Sequence, residues 1–123
     1  DTFIVCDGKK IGKPKSVIDA KRIIRSMSGR VIGVYSGVAV VKTDAKGDII
    51  MEDSRHALTR LHIKNMSRAD IDILAHQKNA LKISGAFSIE GEGGKMITKI
   101  EGDYDNVIGL PIFLLKKMLA NFL

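Results

Sequence analysis

The chain has 123 residues, 45% hydrophobic and 28% charged, enough apolar material for one core and too much for a disordered chain. Its net charge of +6 attracts phosphate-bearing partners without saying which. One cysteine, Cys6, forbids an internal disulfide, and the most apolar stretch, residues 110–123, is too short for a bilayer span and holds Lys116 and Lys117, so no membrane partner is expected.

There is no start methionine, and Asp1-Thr2 leads directly into the apolar run Phe3-Ile4-Val5, so the first residue reads as a cut end. Phe3 to Cys6 predicts a buried strand, and Asp7-Gly8 a tight turn that returns Lys10-Ile11 as a short hairpin arm. Gly12-Lys13-Pro14 is a loop. Ser16 with Asp19 is a helix-start signal, and Val17, Ala20, Ile23, Ile24 and Met27 recur at helical spacing behind it until Ser28-Gly29. Val31 to Val41 is rich in β-branched residues and predicts a strand. Residues 44–48 form a hairpin loop from which Ile49-Ile50-Met51 returns.

From Ala57 to Lys64 the alternation is clean: Thr59, Leu61 and Ile63 face one way, Arg60, His62 and Lys64 the other. Ser67 with Asp70 predicts a second helix start, with Ile71, Leu74 and Ala75 facing inward. Residues 85–101 predict a strand pair about Gly91-Glu92-Gly93-Gly94. Pro111 suits the first turn of a last helix that buries Leu114, Leu115, Met118, Leu119 and Phe122. Helices alternate with strands, several of them hairpins. The expected fold is therefore α/β, a mixed sheet with hairpins and flanking helices, in one domain over residues 1–123.

Taken singly, the chemical motifs are ordinary. His56, His62 and His76 lie on different elements without metal-ligand spacing, which favours structural or surface roles over zinc. The Gly91–Gly94 cluster fails the phosphate-loop pattern because Met96, not Ser or Thr, follows Lys95, so it reads as a turn. Arg60, His62 and Lys64 form a basic strand face, but with aromatics at 5% no stacking platform for nucleic acid is visible, and a solvated face is the reading. Asp1 stands at a strand edge, where loops and ligands meet. Lys13 is held beside Pro14, which restricts the backbone that aims its ammonium.

In order, however, the segments resemble the Maf family. Asp1-Thr2 before an apolar strand is similar to its catalytic Asp-Thr step, and Gly12-Lys13-Pro14 to its Gly-Lys-Pro loop. Ser28-Gly29-Arg30 and Tyr35-Ser36-Gly37-Val38 match the next blocks, with Ser36 where the family usually has Thr. Residues 85–91, ending Ile89-Glu90-Gly91, are similar to its Ala-Gly-Ala-Tyr-Gly-Ile-Gln-Gly block, and Gly102-Asp103-Tyr104 with residues 106–111 to its C-terminal signature. The family's N-terminal phosphate loop, glutamate and lysine have no counterpart, so the chain resembles the family's C-terminal two-thirds, an inosine triphosphatase-like architecture incomplete at the N-terminus.

The resemblance implies a cytoplasmic nucleoside triphosphate pyrophosphatase, often a homodimer, that removes unwanted or modified nucleotides as the monophosphate and pyrophosphate. It implies Asp1 as proton acceptor and possible metal ligand, Mg²⁺ or Mn²⁺ as the divalent cofactor, and Thr2, Lys13 and Glu90 as substrate-binding and specificity residues. Thr2 is similar to the thymidine/uridine-type subfamily, whereas Glu90 is similar to a subfamily that takes methylated guanosine triphosphate, so the two positions imply different bases. Two rival classes stand beside this reading: a nucleic-acid-binding basic module and a non-catalytic scaffold derived from the fold. Nucleic acid is not the expected partner.

Overall fold

The computed structural model describes residues 1–123. Five strands form one sheet: β1 (Thr2–Cys6), β2 (Lys9–Ile11), β3 (Val31–Thr43), β4 (Ile49–Ile63) and β5 (Ile97–Glu101), in the order β2-β1-β3-β4-β5. Helix α1 (Val17–Met27) joins β2 to β3, α2 (Arg68–Ala75) follows β4, and α3 (Tyr104–Ile108) and α4 (Ile112–Ala120) close the chain. The α/β class with hairpins and flanking helices is as expected. Every strand pairing is antiparallel, so the parallel pair that a mixed sheet contains does not occur within these residues.

The core lies on one face of the sheet. Ile4 and Cys6 of β1, Ile32 and Val34 of β3, and Leu61 and Ile63 of β4 point to it, as the period of two in a pleated strand requires. Opposite them pack Ala20, Ile23, Ile24 and Met27 of α1 and Ile71, Leu74 and Ala75 of α2. Both helices start as the sequence says. The Ser16 hydroxyl accepts the Asp19 amide, and Ser67 and Asp70 form a reciprocal capping box.

Three departures have physical causes. Residues 49–51 and 57–63 belong to one 15-residue strand. Beyond Ser36, β3 pairs only with β4, and this two-stranded ribbon has no core on either face, so polar Glu52 to His56 can continue the strand without breaking an alternation that burial would impose.

The expected strand pair over residues 85–101 is replaced by 3₁₀ turns at Ser84–Ala86 and Gly91–Met96, after one at Ala80–Lys82, with β5 the one strand. Gly85 and Ala86 take φ of 73° and 53°, incompatible with a strand. The last turn lies directly on the backbone before it, since a Cβ on Gly93 or Gly94 would run into the carbonyl oxygens of Ser88 and Ile89. Finally, α4 buries Met118 fully but leaves Leu114 and Leu115 half-buried and Leu119 exposed, because β3 is the main element it packs on; Phe122, past the helix end, is half-buried.

Candidate functional site

Asp1 and Thr2 stand at the head of β1. The Gly37 amide donates to the Asp1 carbonyl at 2.9 Å, which fixes the strand end against β3. The Asp1 side chain is exposed, and its Oδ1 accepts the Thr2 amide at 2.9 Å. That bond holds the carboxylate beside its own backbone, and Oδ2 makes no hydrogen bond within the chain. Thr2, in register with Ser36, turns its hydroxyl to the core side of the sheet, where Thr2 Oγ1 and Ser36 Oγ are 2.7 Å apart.

Behind this pair lies a buried polar network. Ser36, Thr59 and Asn106 are each fully buried. Asn106 Nδ2 donates to the Val34 carbonyl and to Thr59 Oγ1, both at 3.1 Å, and Thr59 Oγ1 donates to the Asp103 carbonyl at 2.8 Å. Ser36 Oγ donates to the Asn106 carbonyl at 3.1 Å. The effect is to pin α3 to the middle of β3 and β4. Asn106 Oδ1 alone has no partner. A buried acceptor without a donor costs about 1–3 kcal/mol, a cost that a structure retains where the rest of the side chain is needed.

Thr2 opens on a cavity of about 300 Å³ between the sheet and residues 82–89. Ile4, Val34 and Leu61 form its sheet side and Phe87 and Ile89 its opposite side, with Ser84, Ser88 and Lys82 as polar members. A mostly apolar cavity with few polar groups is the usual form of a small-molecule site, and ~300 Å³ is the lower end of the range, suited to a ring system more than to a whole nucleotide.

Lys13 is exposed, in the loop between β2 and α1, and makes no ion pair. Pro14 beside it is buried, and the Gly85 amide donates to the Gly12 carbonyl at 3.0 Å. The loop is therefore anchored on both sides of the lysine, one anchor being the segment that walls the cavity.

Glu90 is exposed and lines a second hollow of about 270 Å³, with Lys78, Asn79 and Ser88. Ile83 and Ser88 line both spaces, so Glu90 stands across a shared wall from Thr2. The structure thus joins Thr2, the Lys13 loop and the segment before Glu90, but no one cavity is lined by all four expected residues.

Other candidates take structural places. His62 Nε2 is 2.8 Å from Glu101 Oε1, and Lys64 Nζ is 3.2 Å from Asp70, so two of the three basic groups on that strand face meet carboxylates of this chain. His76 Nδ1 lies 2.8 Å from the Asp72 carbonyl at the end of α2. Burial, and secondarily the charge of Asp7, pushes the Cys6 thiol up from its ordinary pKa, the wrong direction for a nucleophile.

No group of three or more His, Cys, Asp or Glu side chains converges. The exposed carboxylate of Asp1 is an oxygen donor of the kind hard divalent cations take, and it is not part of any such group.

Ser36, Asn106 and Lys82 lie around Thr2 and its cavity, and the sequence carries no signal that marks them. Ser36 and Asn106 fall inside matched blocks, but a hydroxyl in a β-branched run and an amide in a short helix carry no signal of burial. Only the fold brings positions 2, 36 and 106 together.

A family model described as Maf-like protein matches residues 1–122. Among curated relatives, a dTTP/UTP pyrophosphatase of Moorella thermoacetica is 38% identical over 122 residues, covering 99% of this chain and 61% of the relative. One of Dictyoglomus thermophilum is 36% identical over 119 residues (97% of this chain, 60% of the relative), and one of Clostridium botulinum is 40% identical over 119 residues (97% and 61%). The chain spans about 60% of the length of these relatives.

Proposed function

This chain belongs to the Maf family, and from that premise we propose that it carries the catalytic and base-contacting part of a nucleoside triphosphate pyrophosphatase. The observation that carries this reading is the head of β1: an exposed carboxylate and a core-side hydroxyl on adjacent residues, Asp1 and Thr2, with Thr2 lining a base-sized apolar cavity. The names of the relatives, dTTP/UTP pyrophosphatases, support the same reaction class.

In this reading the base enters the cavity beside Thr2 and the triphosphate runs out past the head of β1. Asp1 accepts a proton from a water aimed at the α-phosphorus. The water oxygen bonds to that phosphorus, the bond to the oxygen bridging the α- and β-phosphates breaks, and pyrophosphate leaves with the electron pair. Lys13 places a mobile point charge against phosphate oxygens, a role its unpaired ammonium and anchored loop suit. A divalent cation, Mg²⁺ or Mn²⁺, neutralises phosphate charge when bound, and Asp1 is the residue that would hold it.

Thr2 supports pyrimidine triphosphates as substrates, and the Glu90 carboxylate extends the range toward guanine. The same reading carries a cytoplasmic housekeeping role and a homodimer. No helix is long and apolar enough to cross a membrane.

The test is a product analysis on the full-length protein with UTP, dTTP and GTP, Mg²⁺ or Mn²⁺, and ¹⁸O-labelled water. Monophosphate carrying the label, with unlabelled pyrophosphate, is expected. Release of inorganic phosphate and a nucleoside diphosphate, or no turnover, sinks the reading.

A further inference from the structure

Ser36 is sealed from solvent, so its hydroxyl has no partners but those inside the chain. It has one proton and two acceptors in reach, Thr2 Oγ1 at 2.7 Å and the Asn106 carbonyl at 3.1 Å. Thr2 likewise has one proton and two internal acceptors, Ser36 Oγ at 2.7 Å and the Gly109 carbonyl at 3.4 Å. A 2.7 Å contact between two hydroxyls contains one proton, contributed by one of them.

Two arrangements meet that condition. In one, Ser36 donates to Asn106 and Thr2 donates to Ser36, so Thr2 presents only lone pairs to the cavity. In the other, Ser36 donates to Thr2, and the Thr2 proton is left for a ligand acceptor, its internal alternative being the long contact to Gly109. No heavy atom moves between them. The frame is fixed by Asn106 Nδ2, held by Val34 and Thr59, and the Asn106 carbonyl keeps a donor throughout because the Gly109 amide reaches it at 3.2 Å. Exchanging one arrangement for the other therefore strands no buried carbonyl.

We propose that Ser36 is a positioning residue that sets base specificity through Thr2, its reversible hydroxyl letting Thr2 either donate to or accept from the base edge. This rests on the reading that a nucleotide base occupies the cavity beside Thr2. Uracil and cytosine are the matched probes, because they invert the edge at two neighbouring positions. Uracil offers N3–H and the O4 acceptor; cytosine offers the N3 acceptor and the N4 amino group. A convertible Thr2 serves both, whereas a fixed one must reject one of them. Ser36→Ala removes the near acceptor for the Thr2 proton and leaves only the long Gly109 contact, which biases Thr2 toward donating to the base.

The experiment measures kcat/KM for UTP and CTP with full-length wild type, Ser36→Ala, Ser36→Cys and Ser36→Thr, together with melting temperatures. Wild type is expected to cut both. Ser36→Ala should move the UTP/CTP ratio by about fivefold or more, the scale of one mismatched polar contact. The sign then reports whether position 3 or position 4 faces Thr2. Ser36→Cys, close in size with a weak donor, should move it the same way and serves if the alanine variant does not fold. Ser36→Thr keeps the hydroxyl and should stay within about twofold of wild type. A merely structural Ser36 would lower both rates together, so an unchanged ratio in the alanine or cysteine variant overturns the inference, as does a wild type that cuts UTP and rejects CTP. A wild type that cuts no nucleoside triphosphate overturns the nucleotide reading itself, and this inference with it.

Discussion

The Gly85 amide donates to the Gly12 carbonyl over 3.0 Å, fastening the Lys13 loop to the segment that walls the Thr2 cavity. Gly85 holds φ of +73°, and a Cβ there would stand 3.3 Å from the ends of the Ile4 and Met27 side chains. Those tips can shift, so the cost of Gly85→Ala lies mainly in the left-handed backbone, about 1–2 kcal/mol. Urea unfolding should report a loss of that size. If the tether matters, triphosphate affinity of the folded variant should fall as well. Unchanged stability would mean that the turn relaxes and does not hold the loop.

Lys13 itself is tested by removal of its charge. Its ammonium has no acidic partner in the chain, so Lys13→Ala strands no carboxylate and should leave the melting temperature unchanged. The lost phosphate contact should weaken binding and catalysis by about 1.5–3 kcal/mol, the range for hydrogen bonds to charged groups. Lys13→Arg should rescue poorly, because a planar fork does not replace a compact charge. Equal affinity and turnover in the alanine variant would make Lys13 a surface residue.

Much of this was legible in the sequence wherever a residue's partners are near neighbours. Ser16 with Asp19 and Ser67 with Asp70 start their helices because a cap needs three residues of chain and nothing else. The core faces of α1 and β4 follow from periodicity. What failed depends on distant packing. The strand over residues 49–63 was hidden because its outer half pairs in a ribbon with no buried face. The turn over residues 91–96 is hidden because Gly93 and Gly94 answer to the carbonyls of Ser88 and Ile89, and the one at 84–86 because Gly85 packs on the side chains of Ile4 and Met27, contacts that no local rule anticipates. Among the site residues, Thr2 and Lys13 were named from resemblance, whereas Ser36 and Asn106 become visible only when α3 docks on the sheet.

Both helix starts make acid sensitivity predictable. The Asp19 carboxylate is held below its ordinary pKa, first by the Lys15 amide and then by Arg22; Asp70 is held low by the Ser67 amide and then by Lys64. A lowered folded-state pKa means stability that is complete above the unfolded value, about 3.9, and is lost as pH falls through the lower folded one. Melting temperature should therefore be flat down to about pH 5 and fall below about pH 4. The Asp19→Asn, Asp70→Asn double variant should start lower at neutral pH and show a shallower acid decline. Parallel curves for the two proteins would exclude these caps as the titrating groups.

Asp1→Asn separates chemistry from folding. The amide oxygen can still accept the Thr2 N–H, so the bond that positions the side chain survives and the melting curve should not move. The base is gone, and turnover should fall by about 100-fold or more. Pyrophosphate release near the wild-type rate in a folded variant would remove Asp1 from the mechanism.

Glu90 stands across the wall formed by Ile83 and Ser88 from the cavity that Thr2 lines. From there it reaches a base only if the base edge extends past Ser88, and the two residues then address different atoms of the ligand. An ionised carboxylate only accepts hydrogen bonds, so it favours an edge rich in donors, such as the N1–H and amino group of guanine. It opposes the carbonyl oxygens of thymine and uracil, which a glutamine amide can meet with a donor. Glu90→Gln should therefore shift specificity toward dTTP and UTP by about tenfold or more relative to GTP, since one matched or mismatched polar contact is worth at least ~1 kcal/mol. The quantity to compare is the ratio of kcat/KM for GTP and UTP in the two proteins. A fixed ratio with a collapsed rate makes Glu90 a catalytic or metal-holding residue instead. If neither ratio nor rate changes, the second hollow is no part of the substrate site, and base choice falls to Thr2 and the buried hydroxyl behind it.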